Sequence, residues 1–500
     1  MPSRCGIPPD KWGVGFKRLP FMTSTTTELH RDAQRTTLVD VGLGILVAVG
    51  VAMWFSCSLD DHDSCLFVAG VERFNIQEHR PHPPGYPIYI LGGKALNGLL
   101  GSPALALSWL SIISSGIAAM LLPRLFRRLG APSHIALVQA AVVIATPCFW
   151  LTGSKILTDM PGFALTLILW LAHLQNPEPV NWRRAFWLGV GVGLACGVRT
   201  HLFLPLLPFL LRGPAWVRLA GVALGFTAWY GGMALHQGID QIIAATEQQA
   251  MMRFHERNVS IFVGDGVWRR AARFARALAE GTLGLQPWRA TIFIVAAGCM
   301  VALVRWRIWM IRSGATIKSQ MLSAKGLIVI AAVVKLAFVF TFLPAHPRYF
   351  LCVLPALAIV LTFNRAWIGI ALVLVMGTYT AQRAKLLHTV APAPFQAIEH
   401  MNQLDPDKKV PLLASKLFAY AREGSPERVR SRISFDLQAT PPPTAFFTDR
   451  WTIPDHLPRH RLVSSTLFDR DESVHDKDHR VRLRFFEPVI NDTVEVSPPR

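Results

Sequence analysis

The stretch Leu38–Cys57, LVDVGLGILVAVGVAMWFSC, carries a single charge, Asp40, and runs straight into SLDDHDSC at Ser58–Cys65. A helix needs about 20 apolar residues to cross a hydrocarbon core of about 30 Å, so this stretch reads as a membrane span that empties into an acidic loop. Comparable runs follow at 104–123, 134–152, 160–174, 185–198, 202–211, 215–236, 291–304, 327–343, 349–363 and 366–381. Several are shorter than a straight span requires. The whole chain agrees with this reading: 51% of its 500 residues are hydrophobic, only 17% are charged, and the mean hydropathy is +0.34. That composition excludes a disordered chain and an ordinary soluble domain. The expected fold is mainly α, a polytopic α-helical membrane protein of about eleven transmembrane helices with a small C-terminal α/β extramembrane domain.

Lys+Arg 51 against Asp+Glu 32 leaves +19, and the position of those charges decides what they mean. Lys and Arg are retained on the cytoplasmic side of short loops. Arg18, Arg31 and Arg35 precede the first run; Arg124, Arg127 and Arg128 follow the second; Arg183 and Arg184 the fourth; Arg212 and Arg218 the sixth. Arg305, Arg307, Arg312, Lys318 and Lys325 follow the eighth, and Arg365 the tenth. Every even run therefore ends in a basic loop. The pattern places the N-terminus in the cytoplasm and the C-terminus outside, and accounts for the charge without nucleic acid; the expected location is a cell's inner (plasma) membrane. The weak link is 185–211, which is either two short spans or one helix broken at Arg199. Two spans keep the Arg305–Lys325 cluster inside.

Residues 1–37 then form a cytoplasmic segment, 38–385 a multi-span domain, and 386–500 an extracytoplasmic soluble domain. Within the latter, Phe395–Leu404 has helical spacing, while Val410–Ala414, Arg461–Leu467 and Arg480–Phe486 read as strands. The outer loops are 58–103, 153–159, the turn at Arg199, 237–290 and 344–348. The loop 237–290 contains Val267–Leu278, where Trp268, Phe274 and Leu278 alternate with Arg269, Arg270, Arg273 and Arg276, the pattern of a helix lying on a membrane surface. The seven cysteines include no CxxC pair and no metal spacing, so neither a disulfide scaffold nor a zinc site is expected. GVGVGLACG at Gly189–Gly197 lies inside a run and reads as close helix packing.

The densest polar constellation is the loop 58–103. Asp60, Asp61 and Asp63 emerge where the first helix leaves the membrane, either as solvated caps or as carboxylates suited to general-base work. Nineteen residues after Asp63, His82-Pro83-Pro84-Gly85 forms a stiff turn, because each proline fixes its own φ and restrains the residue before it. Tyr86, Tyr89 and Lys94 follow. Asp159, in LTDMPG, is either an N-cap for a helix starting at Met160 or a member of the site. Arg199 in GVRTH is either a phosphate contact or the snorkelling end of a short span, and Arg348 in PRYFLCVLP is a cation at an interface.

The block DSCLFVAGVERFNIQEHRPHPPGYPIY (Asp63–Tyr89), followed by RLFRRLG (Arg124–Gly130), resembles the bacterial polytopic glycosyltransferases of the GT-C fold. That group includes the family 39 polyprenyl-phosphate-mannose protein mannosyltransferases and the aminoarabinose transferases of lipid A. The resemblance implies a membrane glycosyltransferase that moves a sugar from a polyprenyl-phosphate donor to a hydroxyl acceptor on the outer face. Asp63 stands where the family has its catalytic carboxylate, and Ser64 where a second acidic residue is usual, which leaves Asp60 or Asp61 able to share the role. HPPG replaces the family's KPPL, so His82 takes the place of a lysine that meets the donor phosphate. Asp159 matches a second-loop acidic residue, and Arg348 with Tyr349 matches a late RYxLxxLP motif that faces phosphate. Lys94 and Arg199 complete the implied phosphate-binding set. The expected partners are the lipid-linked donor, a hydroxyl acceptor and the bilayer. No cofactor is indicated, and a divalent metal is compatible but not called for. Two rival readings are a lipid-linked sugar transporter, which needs intramembrane charges such as Asp40 and Lys335 to line a path, and an inactive scaffold of the same fold.

Overall fold

In the computed structural model a helix underlies each of the eleven apolar runs. The structure describes residues 26–56, 59, 61–175, 181–211, 214–251, 266–313, 323–362, 365–407, 410, 412–413, 433–434, 445–448, 460–469 and 480–488. The helices are α1 (Thr26–Met53), α2 (His62–Glu72), α3 (Pro87–Leu100), α4 (Pro103–Arg128), α5 (Ser133–Ile144), α6 (Pro147–Gly153), α7 (Asp159–Leu174), α8 (Trp182–Val198) and α9 (Phe203–Leu210). They continue as α10 (Ala215–Gln237), α11 (Ile239–Met251), α12 (Val267–Arg276), α13 (Trp288–Ser313), α14 (Ala324–Phe342), α15 (Leu354–Thr362), α16 (Ala366–Thr389) and α17 (Ala393–Leu404).

Among the described residues α1, α4 and α14 are each long and apolar enough to cross a membrane alone, and α5 with α6 makes a fourth, bent by 64°. The shorter apolar helices, α7 among them, complete the bundle. Large apolar side chains cover its outside: Leu38, Ile45, Leu46, Trp187, Trp216, Phe293 and Trp367 are each more than half exposed. Such a surface is stable against lipid and not against water, so the chain is a membrane protein.

Packing follows the small residues. A methyl group on Gly116 of α4 would stand 2.8 Å from the Gly44 carbonyl of α1, so only glycine lets these backbones meet. Likewise α8 lies on α10 through Gly189 and Gly193, where a methyl would fall 2.1 Å from the Arg218 carbonyl and 2.3 Å from that of Val222. The glycine run at 189–197 is thus a helix-packing seam. The 185–211 run is broken: α8 stops at Val198, Arg199 is extended, and a 3-10 turn at Thr200–Leu202 leads into α9.

Two arginines read as surface residues are interior. Arg218, counted among the cytoplasmic loop charges, is buried in the first turn of α10 and donates to the Phe209 carbonyl at the end of α9, 2.9 Å away. Arg270, read as part of an interfacial helix, is fully buried and donates to the carbonyls of Phe340 and Thr341 at 3.1 Å each. The reason is common to both: the last carbonyls of a helix have no intrahelical partner, and a guanidinium supplies several donors at once. Phe274, one turn beyond Arg270, packs beside it on Phe340 and Phe350, whereas Trp268 is exposed.

At the C-terminal end α17 covers a five-stranded sheet of β1 (Leu412–Leu413), β2 (Ile433–Ser434), β3 (Phe446–Thr448), β4 (His460–Asp469) and β5 (Arg480–Pro488), in the order β2-β1-β3-β5-β4. β1 is parallel to both neighbours, and β5 pairs antiparallel with β3 and β4. The strands expected at 461–467 and 480–486 are the long pair β4 and β5. This unit is joined to the bundle by α2, whose Cys65 and Leu66 share an apolar core with Ala397, Ile398, Met401, Leu412 and Leu483. On its other side α2 places Phe67, Val68 and Val71 against Tyr86, Tyr89 and Ile90. Held on both sides, α2 has a fixed N-terminus, and the candidate site is built there.

Candidate active site

α2 starts at an acidic cap. Asp61 is extended, and its Oδ1 accepts the backbone N–H of Asp63 at 2.9 Å, which satisfies one of the unpaired donors of the first helical turn. Its second oxygen accepts from Nη1 of Arg348 at 2.8 Å. Nη2 of the same guanidinium donates to Oδ2 of Asp63 at 3.0 Å. One fork therefore bridges two carboxylates, and Arg348 itself is only 4% exposed. It arrives from a 3-10 turn, Pro347–Val353, in which every residue from Arg348 on is buried. Asp60, the third carboxylate of the run, lies outside the described residues.

The HPPG turn delivers His82 to the same place. Gly85 has φ +91°, a conformation that an L side chain rarely adopts, and a methyl there would meet Ile76 at 2.9 Å. His82 is buried, with Nε2 2.9 Å from the Tyr86 hydroxyl and Nδ1 3.9 Å from Oδ1 of Asp63. Ser64, where a second acid was expected, instead donates to the Ile156 carbonyl at 2.9 Å and ties α2 to the loop before α7.

A second cluster adjoins the first. α7 begins at Asp159, with Thr158 as its cap residue, so Asp159 is the first helical residue and not the N-cap. Its carboxylate, 2% exposed, accepts from Nη1 of Arg199 at 2.5 Å, and the same nitrogen donates to Thr158 Oγ1 at 2.6 Å. Arg199 is buried, which excludes the snorkelling alternative; the break between α8 and α9 frees it to turn inward. Its Nε donates to His201 Nε2 at 2.5 Å, and Lys335 Nζ lies 2.8 Å from His201 Nδ1.

Tyr349 joins the two clusters. Its ring has the Arg199 guanidinium carbon at 4.9 Å, that of Arg348 at 5.6 Å and Lys335 Nζ at 5.6 Å from the centroid. The electron-rich face of an aromatic ring tolerates cations, and here three converge on it. Tyr89 is 2% exposed, and its hydroxyl has no hydrogen-bond partner among the described residues. Burial raises its pKa far above the ordinary phenol value, with the Asp159 charge adding to the effect. It is a neutral donor held inside the site.

The structure thus brings together Asp61, Asp63, His82, Asp159, Arg199, Arg348 and Tyr349. Lys94 stands apart, exposed on α3, and no ion pair joins it to these carboxylates among the described residues. Two members were missed. His201 follows Arg199 by two residues within GVRTH, and Lys335, which seemed from sequence to stand alone, is its partner across 134 residues. The only signal for Lys335 was a charge in the middle of an apolar run, where isolation is costly.

Chemically, the site combines buried cations with carboxylates of graded access, their side chains 2% exposed for Asp159, 9% for Asp61 and 19% for Asp63. Cations in such surroundings hold a multiply charged anion, and the most open carboxylate can take a proton from an arriving hydroxyl.

No family model matches the chain, and no curated protein matches it. Among solved structures, the chain is similar to the crystal structure of ArnT from Cupriavidus metallidurans bound to undecaprenyl phosphate, at 11% sequence identity over 93% of this chain and 99% of that one, with a TM-score of 0.47.

Proposed function

We propose that the protein is a membrane glycosyltransferase that moves a sugar from a polyprenyl-phosphate donor to a hydroxyl acceptor at the outer face of the membrane. The observation that carries the reading is the convergence of Arg199, Arg348 and Lys335 on the Tyr349 ring, beside the carboxylates of Asp61 and Asp63. The motif resemblance in the loop 58–103 supports the same assignment. In this reading the donor's isoprenoid chain lies among the helices and its phosphate meets Arg348, Arg199 and His82. Asp63 takes the proton of the acceptor hydroxyl as the oxygen attacks the anomeric carbon. The bond from that carbon to the phosphate oxygen breaks, and the departing phosphate gains charge that the cations stabilise in a partly dry cavity. Asp61 caps α2 and aims Arg348. Residues 386–500 stand outside the membrane and, through α17 and β1, steady α2.

Asp63→Asn tests the assignment. It should lower sugar transfer from a polyprenyl-phosphate donor by about 10²–10⁴-fold and leave membrane expression and donor binding near wild type. Full activity in this variant would sink the proposal; loss in Asp61→Asn alone would move the base to Asp61. Orientation is tested by reporter fusions after Thr158 and after Arg348, both expected to report the outer side, and a cytoplasmic signal from either would break the proposed site. A transport path would string intramembrane charges together. Here Asp40 pairs with Arg124 and Arg127, and Lys335 with His201, in separate clusters.

A further inference from the structure

A polar cavity of ≈ 680 Å³ lies between α1, α4 and α7, apart from the carboxylate site. Thirteen helical residues, about 20 Å of rise, separate its Asp40 from Met53 at the end of α1, and the Asp61–Asp63 cluster lies beyond that end. The two sites therefore face opposite ends of the bundle. The cavity's lining includes Asp40, Arg124, Arg127 and Arg128 and, with them, the apolar side chains Leu121 and Ile168.

Asp40 is 1% exposed. Its Oδ2 accepts from Nε of Arg124 at 3.1 Å and also from Nη2 of Arg127. Its Oδ1 is buried and has no hydrogen-bond partner among the described residues. Arg128, next on α4, is exposed and pairs with no carboxylate among the described residues. Orientation in the membrane needs only exposed arginines. It does not explain a carboxylate taken out of water, which costs several kcal/mol unless its charge is well compensated. What the carboxylate does is hold two guanidinium groups at a set spacing beside a third, so that the lining carries three positive charges against one negative.

A basic pocket between transmembrane helices is a recurrent form of phospholipid headgroup site. The apolar part of the lining distinguishes a lipid from a soluble anion. Ile168, 42% exposed, lines the cavity together with Leu121, which offers an acyl chain a surface that inorganic phosphate has no use for. Asp40 Oδ1 narrows the headgroup further, because a lone carboxylate oxygen beside the phosphate is best met by a hydroxyl donor.

We infer that this cavity binds an anionic glycerophospholipid whose phosphodiester meets Arg124, Arg127 and Arg128 and whose headgroup hydroxyl donates to Asp40. Such a lipid bridges α1, α4 and α7 at the end of the bundle away from the carboxylate site.

The test uses the full-length protein purified in detergent, titrated with phosphatidylglycerol, with phosphatidylcholine and with inorganic phosphate, and followed by thermal unfolding and by native mass spectrometry. Phosphatidylglycerol is expected to raise the unfolding temperature saturably and to remain bound in the mass spectrum, while the other two do neither. Each arginine removed should weaken its binding by about 5-fold, so Arg127→Gln/Arg128→Gln should lose about 25-fold. Arg128→Ala, at an exposed position that pairs with no carboxylate, reads out the same loss should the double variant fail to fold. Equal stabilisation by phosphatidylcholine would overturn the proposal, as would equal stabilisation by inorganic phosphate, which would make the site one for a soluble anion. Wild-type affinity in Arg128→Ala would also overturn it.

Discussion

Arg348→Met is expected to lower the stability of the protein by about 3–5 kcal/mol and to abolish sugar transfer. The guanidinium spans Asp61 and Asp63 with one nitrogen on each; Arg348 and Asp61 are buried, and Asp63 is the one partly open member. Without the cation two carboxylates face each other near one helix end, each raising the cost of the other's charge. Asp61 also caps α2, so the damage reaches the helix that links the bundle to the C-terminal sheet. Arg348→Lys separates charge from shape: an ammonium restores the positive charge but cannot fork to two carboxylates. It should recover part of the stability, read by thermal unfolding in detergent, and little of the transfer. Recovery of both to wild-type levels would show that only the charge matters.

The second large effect lies at Arg199. Arg199→Met strands Asp159, whose carboxylate is 2% exposed, and should cost about 3–5 kcal/mol together with transfer. The compensated variant Asp159→Leu/Arg199→Met removes both charges. Replacing a buried ion pair by apolar residues of similar volume is often neutral or stabilising, so most of the stability should return. Transfer should not return, because the double variant lacks a cation proposed to receive the departing phosphate. A double-mutant cycle on unfolding and the transfer assay on the same four proteins measure the two consequences separately. Transfer restored along with stability would make the Asp159–Arg199 pair a structural device and remove Arg199 from the phosphate set.

The helices were legible because their signal is local. A run of apolar residues long enough for a membrane must satisfy its own backbone, which makes it a helix wherever it lies. Leu38–Cys57 is such a run, although α1 starts earlier and ends at Met53. The glycine seam of α8 was legible for the same reason. The fate of individual arginines was not. Arg183 heads α8 exposed, whereas Arg218 and Arg270 are buried and serve helix carbonyls. Nothing in their spacing separates the two fates, because they depend on which helix end lies opposite. Within Val267–Leu278 the helical spacing was legible, but not that Arg270 turns from the exposed face to the carbonyls at the end of α14.

The candidate site divides along the same line. By itself the sequence determined that carboxylates follow the first span, that HPPG makes a stiff turn presenting His82 shortly after them, and that Asp159 heads an apolar helix. These are short-range consequences of residue type. Only the tertiary structure decided that Arg348, 287 residues from Asp61 and 285 from Asp63, bridges the two, and that His201 joins Arg199 to a lysine 134 residues further on. It also gave Ser64 to a backbone carbonyl and left Lys94 on the surface. The physical reason is that a buried charge is tolerated only where a partner stands, and partners are chosen by helix packing, which side-chain spacing along one helix does not specify.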